Sequence, residues 1–411
     1  MTSILLISPT QGLSARVPEV IADPRISVVV AGTSYGHLMD SRFVDSYEVI
    51  AARPIDFVTA LVADPGILRR DVDWILFDDD LLMRALTQST LPDDVKERVL
   101  PAGSTLGRAM LGSKIGQQVA AEAAGVPMPR AIVAHTMDEV IEAVDDVDGP
   151  VMVKGDVGGG GAAVWLVRDS RDLPARNAIT RVLPVLVQEY VAGPLVNIEP
   201  LFDRGRLLGY IQSETLECTR RGKGPTTARR FSDPRAPDLQ QTLESIGAVG
   251  RLHGFGNLTF LWCRRRQRHL LIECDMRINT WVQFGPAMGM DWRDLLISRR
   301  PANPIVPSLG ARGHIVRLYP REVEAGLTEL RWSLLRPWLQ RGEGTWESRN
   351  NRDEAVNTVE RRSILSRQSL ARCLLLVPLQ RVWNRLPTGT RERMEQRGWK
   401  AHALRSFGIP T

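Results

Sequence analysis

Lysine is almost absent from this chain of 411 residues. Five remain, Lys96, Lys114, Lys154, Lys223 and Lys400, and arginine supplies nearly all the other positive charge in a net balance of +6. That balance alone suits phosphate ligands, nucleic acid and anionic membranes equally. Each surviving lysine is therefore a candidate for a specific task. Cysteine is also scarce: Cys218, Cys263, Cys274 and Cys373 stand apart, with no Cys-x-x-Cys pair. This argues against a structural zinc site and fits a reducing cytoplasm. Long apolar runs are missing as well. The best, Leu370 to Leu379, contains Arg372 and Pro378 and falls far short of the roughly 20 residues that cross a bilayer. The opening Met-Thr-Ser-Ile-Leu-Leu-Ile-Ser lacks the basic start of a signal peptide and reads as a first strand. The expectation is a cytoplasmic protein.

Hydrophobic residues make up 43% and charged residues 24%, as in soluble globular chains. The length calls for two or three domains. Apolar runs at Ile4–Ile7, Val28–Ala31, Tyr47–Ala51 and Trp74–Phe77 read as buried strands separated by helical patterns such as Ile55–Val62. Strands alternating with helices imply a mostly parallel sheet. Trp74–Phe77 runs into Asp78-Asp79-Asp80, either a polar rim facing a ligand or a solvated strand end capping the next helix. Leu106 to Ala124 has the pattern of one strong helix, stopped by Gly125 and the prolines Pro127 and Pro129. Ala131–His135 and Pro150–Lys154 read as strands, with a helix at Met137–Val144 between them. Further strands are expected at Val185–Val191, Asn197–Phe202, Leu207–Ile211, Asn257–Trp262 and His269–Cys274.

Three segments carry chemistry. In the first, a strand delivers Lys154 to a run of four glycines, Gly158, Gly159, Gly160 and Gly161. Glycines let backbone N–H groups turn toward an anion, and lysine adds a point charge. It is neither a Walker A loop, which ends in Gly-Lys-Ser/Thr, nor a Gly-x-Gly-x-x-Gly turn opening a helix. By itself it could equally be a glycine-rich hairpin tip. The second is Val187-Gln-Glu-Tyr-Val191 before Ala192-Gly193-Pro194, a strand-to-linker crossing whose backbone suits an adenine ring, or an ordinary strand and turn. In the third, Glu273, Asp275, Arg277 and Asn279 alternate along an extended segment. Period-two spacing puts them on one face. Mg²⁺ commonly takes one or two carboxylates beside substrate phosphates, although a Glu/Arg ladder on a solvated strand gives the same pattern.

In this order the segments resemble the ATP-grasp superfamily, in the branch of carbamoyl phosphate synthetase large chains and D-alanine–D-alanine ligases. The resemblance spans roughly residues 1 to 310 and includes Ser113-Lys114, Gly-Val-Pro-Met-Pro129, Val-Met-Val-Lys154 with its glycine loop, Gln-Glu-Tyr-Val-Ala-Gly193 and Ile-Glu-Cys-Asp-Met-Arg277. It implies a mixed α/β chain. A parallel pre-ATP-grasp domain would occupy residues 1–105. An ATP-grasp domain of two α+β lobes would occupy 106–310, with a lid-like lobe at about 128–192, and a basic helical region would occupy 311–411. It also implies ATP and Mg²⁺, with Mn²⁺ as an alternative ion. Lys114 and Lys154 would contact the ATP phosphates under the Gly158–Gly161 loop. Gln188, Glu189 and Val191 would line the adenine and the hinge, and Asn197 the ribose. Glu273 and Asp275 would hold the metal. Arg277, with Lys154, would act on the transferring phosphoryl group. Arg220, Arg221, Lys223 and Asn279 are the candidates for substrate. Two positions depart from the family: Asp275 stands where asparagine is usual, and Thr259 where the preceding strand usually offers a metal ligand.

The resemblance implies an ATP-dependent ligase that activates a small carboxylic acid as an acyl phosphate for attack by an amine. A degenerate ATP-binding regulator or scaffold remains the alternative, on the strength of Thr259. No general base stands out among His37, His253 and His269. The last hundred residues place Arg361, Arg362, Arg367, Arg372, Arg381, Arg385, Arg391, Arg393 and Arg397 around Leu370–Leu379, with Trp383 and Trp399 nearby. This is the pattern of a basic amphipathic helix. It suits a cap on the core or self-association, a protein partner, or an anionic membrane surface. No nucleic-acid recognition module is visible.

Overall fold

The computed structural model describes residues 1–334, apart from 35, 37, 160, 162, 221–223, 234–237, 310–312, 319–321, 323–324, 327–328, 330 and 332–333. The arginine-rich stretch from Arg361 to Arg397 lies outside the described residues. The backbone divides into two compact units, residues 1–215 with 230–314 and residues 216–229 with 315–411.

The first unit opens with β1 (Thr2–Ile7), β2 (Ile26–Thr33), β3 (Ser46–Ala51) and β4 (Trp74–Phe77). They form a parallel sheet in the order β3-β2-β1-β4. Ile4 to Ile7 and Trp74 to Phe77 are buried, as continuous apolar runs in a parallel sheet should be. β3 differs from its reading as a buried strand. It is the edge strand, and Val49 is 51% exposed. The strand order reverses at β1, so the loops after β1 and β4 flank the crevice where ligands settle on open parallel sheets.

The single helix expected from Leu106 to Ala124 is two helices, Thr105–Met110 and Lys114–Ala123. Gly112 breaks it with a φ of +65°, a region that side chains resist. Ser113 then caps the new start, its Oγ accepting from the Gly116 N–H at 3.0 Å. Lys114 thereby becomes the first residue of a helix instead of a mid-helix residue.

β5 (Ala131–Ala134), β6 (Val151–Gly155), β7 (Val164–Val167) and β8 (Val185–Glu189) form an antiparallel sheet in the order β5-β8-β6-β7. The helix Met137–Asp146 closes it, with Val140, Ala143 and Val144 in one core with Val151, Val153, Val185 and Val187. The next strands are β9 (Leu195–Asp203), β10 (Arg206–Cys218), β11 (Thr226–Phe231), β12 (Gly254–Phe255), β13 (Asn257–Cys263) and β14 (Arg268–Asp275). β14, β13, β9 and β10 pair in that order, antiparallel, and β12 pairs with β9. β10 runs 13 residues, well past the expected Ile211. The basic stretch Thr219–Arg230, read as a turn, is strand from Thr226 onward.

In the second unit, Arg331 pairs with Glu217 at 2.7 Å and donates to the Cys218 carbonyl at 2.6 Å. Arg317 pairs with the buried Glu322 at 2.6 Å. The helical character expected beyond residue 310 begins instead with a strand, β15 (His314–Arg317). Among the described residues no helix is long and apolar enough to cross a membrane.

Candidate active site

The site is organised by one face of the helix Lys114–Ala123. Gln117 and Gln118 are buried in an otherwise alanine-rich segment, and a buried amide is costly without partners. Gln118 Nε2 donates to Glu122 at 2.8 Å within the helix, and the pair's partners on other elements lie far away in sequence. Gln117 Nε2 donates to the Cys274 carbonyl at 2.9 Å, and its Oε1 accepts from the Cys274 N–H at 3.2 Å. This fixes the backbone of β14 between Glu273 and Asp275. Gln118 Oε1 accepts from Gln188 Nε2 at 3.4 Å, and Gln188 Oε1 accepts from Lys154 Nζ at 2.6 Å. One helix therefore holds the lysine-bearing strand and the carboxylate-bearing strand in register.

Lys114 stands at the N-terminus of that helix, whose first N–H groups are already capped: the Lys114 N–H donates to the Asp156 carbonyl at 3.1 Å and the Gly116 N–H to Ser113 Oγ at 3.0 Å. Its Nζ donates to the Gly158 carbonyl at 2.7 Å. Gly158 and Gly161 have φ values of +126° and +72°, and a Cβ added at Gly158 or Gly159 would meet nothing within 4 Å. The loop is thus open on one side and needs glycine for its backbone, not for packing. Gly160 lies outside the described residues. Asp156 joins loop to helix. Its Oδ1 accepts from Ser113 Oγ at 2.6 Å and from the Ile115 N–H at 3.1 Å, and its Oδ2 pairs with Arg84 at 3.0 Å. Lys154 is 9% exposed. Burial lowers its ammonium to about 8; Lys114 adds to the shift and Glu273 opposes it.

The carboxylates lie at the end of β14. Burial, and then the charge of Glu273, push Asp275 up to about 7. Arg277 bridges Asp275, at 2.8 Å from Nη2, and Asp80, through Nε. Burial works against its charge, but the carboxylates more than offset that and raise its pKa. Among the described residues no three His, Cys, Asp or Glu side chains gather as a self-sufficient metal site. Glu273 and Asp275, two neighbouring carboxylates, are nonetheless a donor set that Mg²⁺ takes beside phosphate oxygens and water. The residues present fit that ion. Thr259 is the cross-strand partner of Glu273 on one side and of Asn197 on the other.

The remaining sequence candidates sit less directly on this cluster. The Glu189 carboxylate is engaged by Arg266 at 2.9 Å and by the Arg130 N–H at 3.3 Å. Val191 follows β8 and is half-buried. Asn197 is buried in β9 and donates to Thr215 Oγ1 at 2.7 Å. Asn279 donates to Glu199 at 3.2 Å and caps the turn Thr280–Phe284. Arg220 belongs to the second unit, where its N–H donates to Glu329 at 2.6 Å. Arg221 and Lys223 lie outside the described residues, as does His37. His253 stacks on Trp74 and pairs with Asp203, and His269 pairs with Asp238. Both are structural.

No family model matches the sequence, and no curated protein matches it. Solved structures do. An N5-carboxyaminoimidazole ribonucleotide synthetase, crystallised with ADP, superimposes with a TM-score of 0.60 at 14% identity, over 80% of this chain and 85% of that one. A biotin carboxylase from Campylobacter jejuni, in a β-γ-ATP complex, gives 0.53 at 15% identity over 72% and 70%. An L-amino acid ligase from Bacillus licheniformis gives 0.53 at 14% over 73% and 74%. The chain has the ATP-grasp fold. Its parallel first sheet and the two antiparallel sheets after it are that fold's layout, as the sequence implied.

Sequence reasoning did not single out Asp156, Gln117 or Gln118, and it raised Asp80 only as part of the run Asp78-Asp79-Asp80. A buried glutamine in the first turn of an amphipathic helix looks like a surface residue until its partner, here 157 positions away, is known. In the ATP-grasp fold of this chain the test is direct. Gln117→Leu keeps the volume but leaves the Cys274 N–H and C=O unpaired. The expected loss is about 2–4 kcal/mol, read as a lower urea midpoint with unchanged m. A loss under about 0.5 kcal/mol would show that β14 is held in place by other contacts.

Proposed function

We propose that this protein is an ATP-dependent ligase that joins a small carboxylic acid to an amine. The reading rests on one observation: Lys114, Lys154, Glu273, Asp275 and Arg277 converge around a single helix N-terminus in an ATP-grasp fold. In this reading Lys114, Lys154 and the Gly158–Gly161 loop hold the ATP phosphates. Gln188 orients Lys154, and the backbone near Glu189 and Val191 faces the adenine. Mg²⁺, held by Glu273 and Asp275, would neutralise charge on the phosphates. The substrate carboxylate takes the γ-phosphoryl group and releases ADP. The ammonium of the second substrate gives up one proton to become the free amine, which attacks the acyl carbon; phosphate leaves and a second proton departs from the nitrogen. Arg277 stabilises the oxygens that gain charge, and positioning does most of the work. Closure of the lobe at about 128–192, within the three-part division 1–105, 106–310 and 311–411, would shield the acyl phosphate from water.

The experiment is thermal unfolding with and without Mg·ATP, followed by ADP release over a matrix of acids and amines. Ligand at about 100 times its Kd stabilises by roughly 2.7 kcal/mol. One acid–amine pair that stimulates ADP release establishes the ligase. Thr259 favours a second reading, a nucleotide-binding regulator without turnover, because a hydroxyl faces Glu273 where a further ligand is usual. A thermal shift with no ADP release from any pair would select it. We assign the basic tail, Arg361 to Arg397, no catalytic part. In this reading it is a cap on the core or a self-association element, with docking to a protein or an anionic membrane surface as the alternative.

A further inference from the structure

In the acidic run after β4 only Asp80 touches the chemistry above, and the three aspartates do different things. Asp79 caps the helix Asp80–Gln88, accepting from the Leu82 N–H at 2.9 Å. Asp80 pairs with Arg277. Asp78 is 2% exposed and is held by one oxygen only. Ser8 Oγ and Ser14 Oγ converge on its Oδ2 at 2.5 and 2.8 Å, and the Gln11 N–H donates to Ser8 Oγ at 3.1 Å. Asp78 Oδ1 is buried with no hydrogen-bond partner among the described residues.

An unpartnered buried carboxylate oxygen costs about 1–3 kcal/mol or more, and where a fold keeps one the missing donor calls for an explanation. Its place supplies one. Ser8 follows β1 and Asp78 follows β4, the two strands that flank the point where the sheet order reverses. The Ile278 N–H donates to the Phe77 carbonyl at 2.8 Å, which ties this corner to the segment just past Arg277. Arg277 lies close enough for its charge to act on Asp78. The corner is short of positive charge: Arg277 is already shared between Asp80 and Asp275. A neutral hydroxyl or amide would fill the hydrogen bond and leave that imbalance. A divalent cation would find one free oxygen where it needs several. An ammonium supplies both donor and charge.

We propose that Asp78, positioned by Ser8 and Ser14, binds the primary ammonium of the amine substrate beside Arg277. This rests on the ligase reading, and it adds where the second substrate sits and what chemistry recognises it.

The test uses the full chain with Mg·ADP. The probes are ammonium chloride, glycinamide and putrescine, which separate ammonia, an amino-acid-type amine and a polyamine. N-acetylglycinamide, which has the body of glycinamide without its ammonium, is the control. At least one probe is expected to slow amide hydrogen exchange saturably at 8–16 and 77–81, with no effect from N-acetylglycinamide. Asp78→Asn should weaken that probe at least tenfold while the Mg·ADP thermal shift persists. Should Asp78→Asn fail to fold, Ser14→Ala keeps the charge, loosens Oδ2 and should weaken the probe severalfold. The proposal is overturned if no ammonium probe protects these loops, if N-acetylglycinamide protects them equally, or if both variants bind the probe like wild type. A missing Mg·ADP shift in wild type, with probe protection intact, would instead remove the nucleotide reading and leave the ammonium site standing.

Discussion

Lys154→Met should abolish the Mg·ATP-induced rise in Tm and lower kcat/KM by roughly 10²–10³-fold, the effect of removing a charge that meets developing negative charge in a dry site. The variant separates binding from folding. Lys154 is buried, and burial holds its ammonium at about 8 against an ordinary 10.5. Holding that charge costs the unliganded fold about 3 kcal/mol, at 1.36 kcal/mol per pKa unit. Methionine removes the cost but leaves Gln188 Oε1 unpaired, at about 1–3 kcal/mol. The unliganded variant should therefore unfold within about 2 kcal/mol of wild type. The pH dependence follows. A lowered lysine pKa makes the folded state bind its proton more weakly, so the cost is full below about 8 and fades as pH rises from 8 to 10.5. This group makes unliganded wild type gain stability over that window, and Lys154→Met loses that slope. Affinity for Mg·ATP runs the other way, falling up to about tenfold per pH unit above 8 as the ammonium is lost. A Lys154→Met protein that still shifts with Mg·ATP would put the phosphates elsewhere.

The layout of strands was legible because parallel strands buried on both faces are written as unbroken apolar runs, and Ile4–Ile7 and Trp74–Phe77 are such runs. β3 was misread for the same reason. Tyr47–Ala51 is apolar enough for a core strand, and nothing local says that it will lie at an edge. The break at Gly112 was hidden because leucine, alanine and methionine keep helical periodicity straight across it. Lys114, Lys154, Glu273 and Asp275 were visible because lysine is rare and carboxylates in apolar strands are costly. Their supports were not. Asp156 looks like one more loop residue until Ser113, Ile115 and Arg84 close on it. Gln188 was expected at the nucleotide base, whereas in the fold its side chain reaches Lys154. Asp78-Asp79-Asp80 was a single run in sequence and is three separate environments in space, since a cap, a buried acceptor and an ion pair can share one tripeptide.

Arg277→Gln should be the most damaging single change. Arg277 is the cation that Asp80 and Asp275 share, and its side chain is 16% exposed. Removing one partner of a buried ionic cluster strands the others, at about 3–5 kcal/mol. That is read as a lower urea midpoint for the unliganded protein. Mg²⁺ alone at millimolar concentration should return part of the loss in Arg277→Gln and less in wild type, because it meets the same stranded charge. Turnover should fall in kcat more than in KM, since the proposed contact strengthens as the phosphoryl group moves. Arg277→Lys decides what the residue is for. Arg277 reaches Asp80 through Nε and Asp275 through Nη2, a fork that a point charge cannot reproduce. Lysine should recover most of the stability and little of the rate. If it recovers both, Arg277 is a counter-ion for the carboxylates and the phosphoryl oxygens are stabilised by Lys114 and Lys154. If Arg277→Gln folds and turns over like wild type, the end of β14 is not where the chemistry happens.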